Sequence, residues 1–475
     1  MAVVGVVGGG LAGLAAAHYA QASQGVGRVV VLESATRLGG WVHTLRTGEG
    51  VLLERGPRTV RPAGLQGANT LQLVEQLGLS DAVRPVRAGH LATSTRLVLV
   101  QGRLHRLPAS LPALFTTQPP FSRPLAAALL TDLLAPRLPG QDCSLHEFIT
   151  RRFGREVAEF AVDPLVRGIC AGDSRQLSVH FIASYLHQLE QEAGRVSLGL
   201  ARDWLRGWWN PALQPSPVEQ CELVKLAREE SWAMWSLENG LETLVETLHQ
   251  SLVSRGVEVV TSSPVESIAV RGGRCTLMRA EAGDLECDKL VLALPAHRAA
   301  RLLPSQPDLA NLLASIPFVD VAVVNMEWRG AKHLTTPGFG FLVPSSQPEP
   351  LLGCIFDSCT FPQGDRTILT AMLGGAAYTK QLGDRTETEV GDLAVVEVSR
   401  ILGLSGPPAR VETNILPQCI AQYTVGHRAR LAQARSIIQS HNLPLALAGS
   451  SYDGPGINDS ILSSKTAVAS LKPYG

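Results

Sequence analysis

Residues 3–13 read Val3-Val-Gly-Val-Val-Gly8-Gly-Gly10-Leu-Ala-Gly13, an apolar run that passes straight into Gly-x-Gly-x-x-Gly. The run has the length and β-branched content of a strand buried on both faces. A second such run, Val29–Leu32, ends on Glu33, twenty residues after Gly13. Strand, glycine turn, helix, strand and acid at this spacing make the dinucleotide-binding fingerprint. Gly8 permits the tight turn, Gly10 lets backbone approach a pyrophosphate, and Gly13 lets the helix pack close to its sheet. The free N–H groups and positive dipole end of that helix hold the anion, and Glu33 accepts hydrogen bonds from ribose hydroxyls. A lone glycine motif is often only a turn; both strands and the spaced acid make this one a nucleotide site.

At 475 residues the chain is too long for a single core, so two or three lobes are expected. Forty-two basic and forty-two acidic side chains cancel, which argues against a nucleic-acid partner, whose phosphates demand a basic surface. The eight cysteines show no CxxC and no zinc spacing, and read as reduced core residues with no metal site. With the fingerprint starting at residue 3, no cleavable leader is expected in this sequence. No run reaches the about 18 apolar residues that span a bilayer, so any membrane contact is expected to be peripheral.

Along the chain, Leu71–Leu79 reads as a short helix and Arg96–Val100, bounded by Gly102, as one arm of a hairpin. From Leu104 to Gly140, prolines break up apolar pieces such as Leu125–Leu134, and helical patterns dominate 145–235. Strand patterns recur at Val257–Val260, from Val265, at Val291–Pro295, across 319–375 and at Leu445–Gly449, with a closing helix over Ile457–Leu471. Nucleotide-domain texture thus stands at the start, middle and end, which implies one discontinuous domain with a sheet-rich and a helical insertion.

Arg37-x-Gly39-Gly40 adds a cation and a flexible turn just beyond Glu33, where a second pass of backbone reaches a pyrophosphate. In Gly454-Pro-Gly-Ile-Asn458-Asp459, either Asn458 or Asp459 caps a helix beginning near Ser460. The positive end of that helix would stabilise negative charge on a bound cofactor. Together with Gly56-Pro-Arg58, Gly240-Leu-Glu and Leu447-Ala-Gly449, these motifs resemble the flavin-dependent amine oxidase superfamily. Further stretches narrow the likeness: Arg37-Leu-Gly-Gly-Trp41, Glu54-Arg-Gly-Pro-Arg58, Asp163-x-Leu165-x-Arg167-Gly168-x-x-Ala-Gly172, Gly338-Phe-Gly-Phe-Leu-Val-Pro-Ser345 and Pro417-Gln-x-x-x-Gln-Tyr423-x-x-Gly-His427. They resemble, over essentially the whole chain, the protoporphyrinogen oxidase family of the animal mitochondrial type.

The resemblance implies an α/β plus α fold. It would comprise a discontinuous Rossmann-like FAD-binding domain (p-hydroxybenzoate hydroxylase-like) over 1–90, 216–295 and 411–475, a mixed-sheet substrate domain over 91–110 and 296–410, and a helical membrane-associated domain over 111–215. It implies one non-covalent FAD per chain. Its contacts would fall on Gly8, Gly9, Gly10, Leu11, Ala12, Gly13, Glu33, Ser34, Arg37, Gly40, Trp41, Gly56, Pro57, Arg58, Thr59, Val265, Ser450, Pro455, Gly456 and Ile457. Two departures stand out. Thr59 replaces a usual glycine, so the backbone there must accept a Cβ, and the last helix reads Ser460-Ile-Leu-Ser-Ser where relatives carry a glycine.

The implied activity is six-electron oxidation of protoporphyrinogen IX to protoporphyrin IX with dioxygen as reoxidant and release of hydrogen peroxide, the penultimate step of haem synthesis. The substrate is a mostly apolar macrocycle with two propionates on one edge. Arg96 is implied as the carboxylate partner, Leu165, Phe339, Leu342 and Met372 as walls, and Gly168 as a point of close backbone approach. Taken alone, Arg96 reads as a solvated strand charge and the four apolar residues as ordinary core. No side chain is assigned as catalytic: no Ser-His-Asp, paired carboxylate or metal constellation occurs at usable spacing, and a flavin carries the chemistry itself.

The resemblance also implies a homodimer, peripheral on the intermembrane-space face of the mitochondrial inner membrane, handing product to ferrochelatase. Trp204, Trp208 and Trp209, interleaved with arginines, and the proline-broken run 104–136 suit such an interface, although a core helix with a wet face would read similarly. Two other readings stay open: a flavin amine or polyamine oxidase, and a non-catalytic flavin-fold carrier of a prenylated partner. Against the first, Ser450-Ser-Tyr452 lacks a cysteine for covalent flavin; against the second, Glu33, Gly39-Gly40 and the terminal helix complete an FAD pocket.

Overall fold

The computed structural model describes residues 1–474 except 109, 139, 141, 210–220, 280–282, 331 and 332, and describes no side chain at 111, 204 and 206–209. Trp204, Trp208 and Trp209 therefore lie on a described helix, Val196–Trp209, with side chains outside the described set.

The chain divides into two compact units. The first gathers Met1–Arg87, Ser216–Pro317 and Ala429–Gly475. Its centre is a five-stranded parallel sheet in the order Leu445–Leu447, Lys289–Leu292, Ala2–Val7, Val26–Leu32, Glu258–Val260. The three inner strands read as near-continuous Val/Leu runs because both faces are covered, one by helices such as Leu11–Gln21 and the other by the three-stranded sheet Val265–Arg271, Arg274–Arg279, Leu285–Cys287. The opening helix Leu11–Gln21 is rich in alanine and buries most of its surface, which lets it lie close to the sheet and to the last helix, Ile457–Ser470. The amino- and carboxy-terminal segments thus share one sheet, with only Lys289–Leu292 between their strands.

The second unit gathers Ala88–Pro215 and Phe318–Arg428. A seven-stranded mixed sheet runs Arg410–Ala421, Phe318–Arg329, Arg366–Gly374, Leu351–Ile355, Gly340–Leu342, Arg96–Val100, Arg103–Arg106. One face packs on the helix Glu387–Leu402 through Val390, Ala394 and Val398. That helix opens with a capping box, Thr386 accepting the Glu389 N–H and Glu389 accepting the Thr386 N–H. Eight helical segments from Leu145 back to Ala127 and on to Trp209 build the rest around Leu145, Phe148, Val166, Leu177 and Leu189.

Several elements differ from the sequence reading. The helix expected at Leu71–Leu79 begins at Gly64, because Ala63 offers no capping side chain and hence no signal. Helices hold most of the described residues of 145–235, and its last residues enter a strand, Trp232–Leu237, paired with Val83–Arg87. Residues 296–317, expected with the substrate domain, pack in the first unit, and residues 411–421, expected to open the last nucleotide segment, belong to Arg410–Ala421, an edge strand of the seven-stranded sheet. An apolar strand pattern states burial, not which sheet is joined.

Candidate functional site

In the first unit the glycine turn is built as its spacing requires. Gly8 has φ +108°, and a Cβ there would lie 2.4 Å from the Ala293 carbonyl oxygen. A Cβ on Gly13 would sit 1.8 Å from the Gly8 carbonyl oxygen. Gly10 is different: its Cβ would meet nothing nearer than Gly40 Cα at 3.8 Å. The second glycine turn is drawn onto the first, with Gly39 N–H donating to the Gly9 carbonyl at 2.9 Å and Gly40 at φ +59°. Two passes of bare backbone therefore face each other at the N-terminus of the helix Leu11–Gln21, the setting for a pyrophosphate.

Glu33 leaves the end of its strand and accepts the Gly9 N–H at 2.6 Å and the Ala35 N–H at 2.8 Å. It stands in a cleft of about 180 Å³ lined by Gly8, Ser34, Ser263, Val265, Arg298 and Arg301 among others. This cleft lies beyond the carboxyl ends of the parallel strands, where open α/β sheets take their ligands. Ser263 is buried and its hydroxyl has no hydrogen-bond partner among the described residues. Sequence reading missed Ser263, Arg298 and Arg301; the one usable signal was that Ser262-Ser263 follows the strand neighbouring Glu33.

Arg37 is arranged otherwise than expected. Its guanidinium donates to the carbonyls of Leu38, Gly40 and Val42 and pairs with Glu242 at 3.1 Å. It shapes the second glycine turn, and its charge is met by Glu242. Gly56 abuts Trp41, where a Cβ would lie 2.0 Å from the Trp41 carbonyl oxygen. Arg58 is buried beside it and Thr59 is half-buried, so the Cβ at 59 is accommodated. The last helix starts at Ile457 rather than near Ser460, with Gly456 as N-cap. Asp459 works from inside the first turn, accepting the Gly456 N–H at 3.1 Å, while Asn458 Nδ2 donates to the Arg61 carbonyl at 2.8 Å. The Ala12 carbonyl accepts the Ser464 hydroxyl at 2.7 Å, tying this helix to the opening one.

These features fit FAD: a pyrophosphate cradle free of side chains, an acid beyond the strand end, an unpaired buried hydroxyl in the adjoining cleft and a second helix N-terminus at Pro455–Ile457. Among the described residues no cluster of His, Cys, Asp or Glu could hold a metal ion.

In the second unit the sheet register brings three of the six substrate candidates onto one face. Val98, Leu342, Gly353, Met372 and Val323 stand opposite one another across five strands, and Arg96, Gly340, Ile355, Thr370 and Asn325 form the row two residues away. Side chains two apart share a face, so Arg96, Leu342 and Met372 lie together. The row between, Leu97, Phe341, Cys354, Ala371 and Val324, points the other way into the core. Arg96 is exposed, whereas Leu165, Phe339, Leu342 and Met372 are half-buried. Phe339 precedes its strand, its backbone bonded to Thr95 and Phe356, at the Arg96 end of the sheet. Leu165 and Gly168 come from the helix Asp163–Cys170. Gly168 touches the sheet directly: a Cβ there would lie 2.5 Å from Leu342 Cδ2, and one on Gly353 would lie 3.0 Å from the same methyl.

Comparison with known proteins agrees with this arrangement. The family model for flavin containing amine oxidoreductase matches residues 11–471. Protoporphyrinogen oxidase from Bos taurus is 40% identical over 473 residues, covering 98% of this chain and 97% of that protein. The Homo sapiens protoporphyrinogen oxidase is 40% identical over 474 residues with the same coverage. Among solved structures, a putative protoporphyrinogen oxidase from Exiguobacterium sp. 255-15 superposes with a TM-score of 0.81 at 26% identity, covering 99% of this chain and 98% of that one. With its glycine cradle, its acid-bearing cleft and its two chain ends in one sheet, the chain belongs to the flavin containing amine oxidoreductase family, among its protoporphyrinogen oxidase relatives.

Proposed function

We propose that this protein oxidises protoporphyrinogen IX to protoporphyrin IX in three two-electron steps, with FAD as cofactor, dioxygen as reoxidant and hydrogen peroxide as by-product. The observation that carries this is 40% identity to protoporphyrinogen oxidases along 98% of the chain, with no segment of the fold left over. Bound FAD would supply the electron acceptor. Gly8–Gly13 and Gly40 would hold its pyrophosphate, with Glu33, Ser34 and Val265 at its adenosine end and Trp41, Gly56–Thr59, Ser450 and Pro455–Ile457 as further contacts.

The substrate is held by residues of the second unit. Arg96, exposed at the start of its strand, pairs with a propionate; such a charge-assisted bond contributes about 1.5–3 kcal/mol, enough to orient the ring. Leu165, Phe339, Leu342 and Met372 supply the apolar wall, each burying surface worth about 1.5–3 kcal/mol. Their role is to keep water out and to hold one C–H bond in place while successive steps proceed.

The setting follows the same reading: a homodimer, peripheral on the intermembrane-space face of the mitochondrial inner membrane, passing product to ferrochelatase. The helix Ala127–Leu134 supports a membrane-facing surface. It buries Asp132 and exposes Leu129, Leu130, Leu133 and Leu134, the last 85% exposed, and Phe115 is also exposed nearby in sequence. An apolar face turned outward suits the headgroup–acyl boundary, and no helix among the described residues is long and apolar enough to cross a membrane.

The test is an oxidase assay on holoprotein with protoporphyrinogen and, separately, with polyamines and aromatic amines. Porphyrin formation with peroxide release supports the reading. Peroxide from amines without porphyrinogen turnover would replace it by an amine oxidase.

A further inference from the structure

The helix Asp163–Cys170 is fastened at two points to the residues that follow the strand Gly340–Leu342. Asp163, buried at 2% exposure, accepts the Ser345 N–H at 2.6 Å and the Ser174 hydroxyl at 2.8 Å. One turn later Arg167, 6% exposed, donates from Nη1 to the Val343 carbonyl at 2.9 Å. Burial pulls the Arg167 pKa down while Asp163 and Asp173 pull it back up, so this cation is kept inside the unit at a cost. The opposite, half-buried side of the same helix carries Leu165 and Gly168, which meet the sheet at Leu342. Leu342 lies between two bare backbones: an added Cβ on Gly168 or on Gly353 would meet the same Cδ2 methyl.

We propose that Asp163 and Arg167 are positioning residues for substrate: by pinning the helix to 343–345 they fix the junction of Leu165, Gly168 and Leu342 in the apolar wall. The inference rests on the porphyrinogen reading above. Neither residue touches substrate. Each acts through backbone groups of the neighbouring strand exit, and the two bonds resist different motions: Asp163 prevents the helix from lifting at its start, and Arg167 prevents it from sliding along the strand. An apolar wall orients a macrocycle only if its parts keep their spacing, since a displacement near 1 Å can cost orders of magnitude in productive geometry.

The test compares wild-type holoprotein with Arg167→Met and Asp163→Asn, reading bound flavin, thermal stability, and KM and kcat for protoporphyrinogen and for coproporphyrinogen, which carries four propionates. For Arg167→Met the expected result is a rise in KM and a fall in kcat per bound flavin, together about ten-fold in kcat/KM for protoporphyrinogen, with the preference between the two porphyrinogens altered. Asp163→Asn, whose amide oxygen still accepts the Ser345 N–H, should fall between wild type and Arg167→Met. If Arg167→Met does not fold, the KM of Asp163→Asn decides. Lowered thermal stability with wild-type KM and wild-type preference per bound flavin would overturn the proposal and leave a purely structural clamp. Absence of turnover by the wild type itself would instead overturn the functional reading, and this inference with it.

Discussion

Arg152 and Asp132 form an ion pair at 3.2 Å with both side chains wholly removed from solvent. Asp132 also accepts the Ser197 N–H and hydroxyl, each at 2.7 Å. Arg152 reaches on to Glu190, which takes two further bonds from Arg151 and one from the Leu138 N–H. This buried network joins the helices Ala127–Leu134, Leu145–Phe153, Ser184–Ala193 and Val196–Trp209 by charge, beside the apolar packing of Leu145, Phe148, Leu189 and Val196. The consequence is an inside-out helix: Ala127–Leu134 turns its one acid inward and its leucines outward.

Placing glutamate at Leu130 and Leu134 together should therefore reduce sedimentation with anionic liposomes several-fold, because the outward apolar stripe would lose its affinity for the acyl boundary. Flavin content and soluble turnover should stay as in the wild type, since neither residue meets a core cluster. Unchanged sedimentation of the double variant would remove the helix from the membrane contact.

The network should also appear in the acid stability of the protein. Burial alone would raise the Glu190 pKa, but hydrogen bonds from Arg151 and Arg152 win and hold it at about 2 against an ordinary 4.5. A carboxylate whose folded pKa is depressed stabilises the fold above its unfolded value and loses that contribution as pH falls toward its folded value. Glu190→Gln leaves two arginines short of a partner and should cost roughly 3–5 kcal/mol at neutral pH. Its deficit against wild type should shrink between pH 4.5 and 2. Thermal melts at stepped pH would read this, and a deficit independent of pH would show that Glu190 acts through packing instead of charge.

Gly10 and Gly13 should behave differently although both belong to one motif. Gly10→Ala adds a methyl with only bare backbone near it, so apoprotein stability should change by less than about 1 kcal/mol. FAD affinity should nonetheless fall steeply, because the methyl stands where the pyrophosphate would approach. Gly13→Ala drives its methyl into the Gly8 carbonyl and should destabilise the apoprotein itself. Flavin titration alongside melts of the apoprotein separates the two, and equal destabilisation of both apoproteins would contradict the cradle as described.

The opening strand, its glycine turn and Glu33 were legible because each is a local pattern: an apolar run, a φ only glycine adopts, an acid at a fixed distance. The closing strand and helix were legible for the same reason. The long-range decisions were not. Nothing near Arg410 says whether its strand joins the parallel sheet or the mixed one, and Asp132 looks like an ordinary helix-surface acid until Arg152 comes to lie beneath it. Asp459 was rightly linked to the last helix start, but its reach back to Gly456 moves that start three residues earlier than a side-chain N-cap would. Ser263 carried no motif, and only the folded cleft shows its buried hydroxyl. Arg37 reads as an anion ligand from its position; in the fold three loop carbonyls and Glu242 accept from its guanidinium, contacts that no local pattern announces.

Gly168→Ala should crowd Leu342, raising KM for protoporphyrinogen and costing about 1–3 kcal/mol of stability by overpacking. Adding Leu342→Ala removes the methyl that is struck, and the double variant should recover part of the lost stability. Strict additivity of the two substitutions in melts and in KM would mean that they do not meet in the working enzyme.

The central claim is that this chain carries FAD and passes porphyrinogen electrons to it. Anaerobic mixing of the yellow holoprotein with protoporphyrinogen tests it most directly. The account predicts rapid bleaching of the flavin absorbance with porphyrin appearing, and recovery of the yellow form when oxygen is admitted. A flavin that stays oxidised while excess porphyrinogen is present would contradict it.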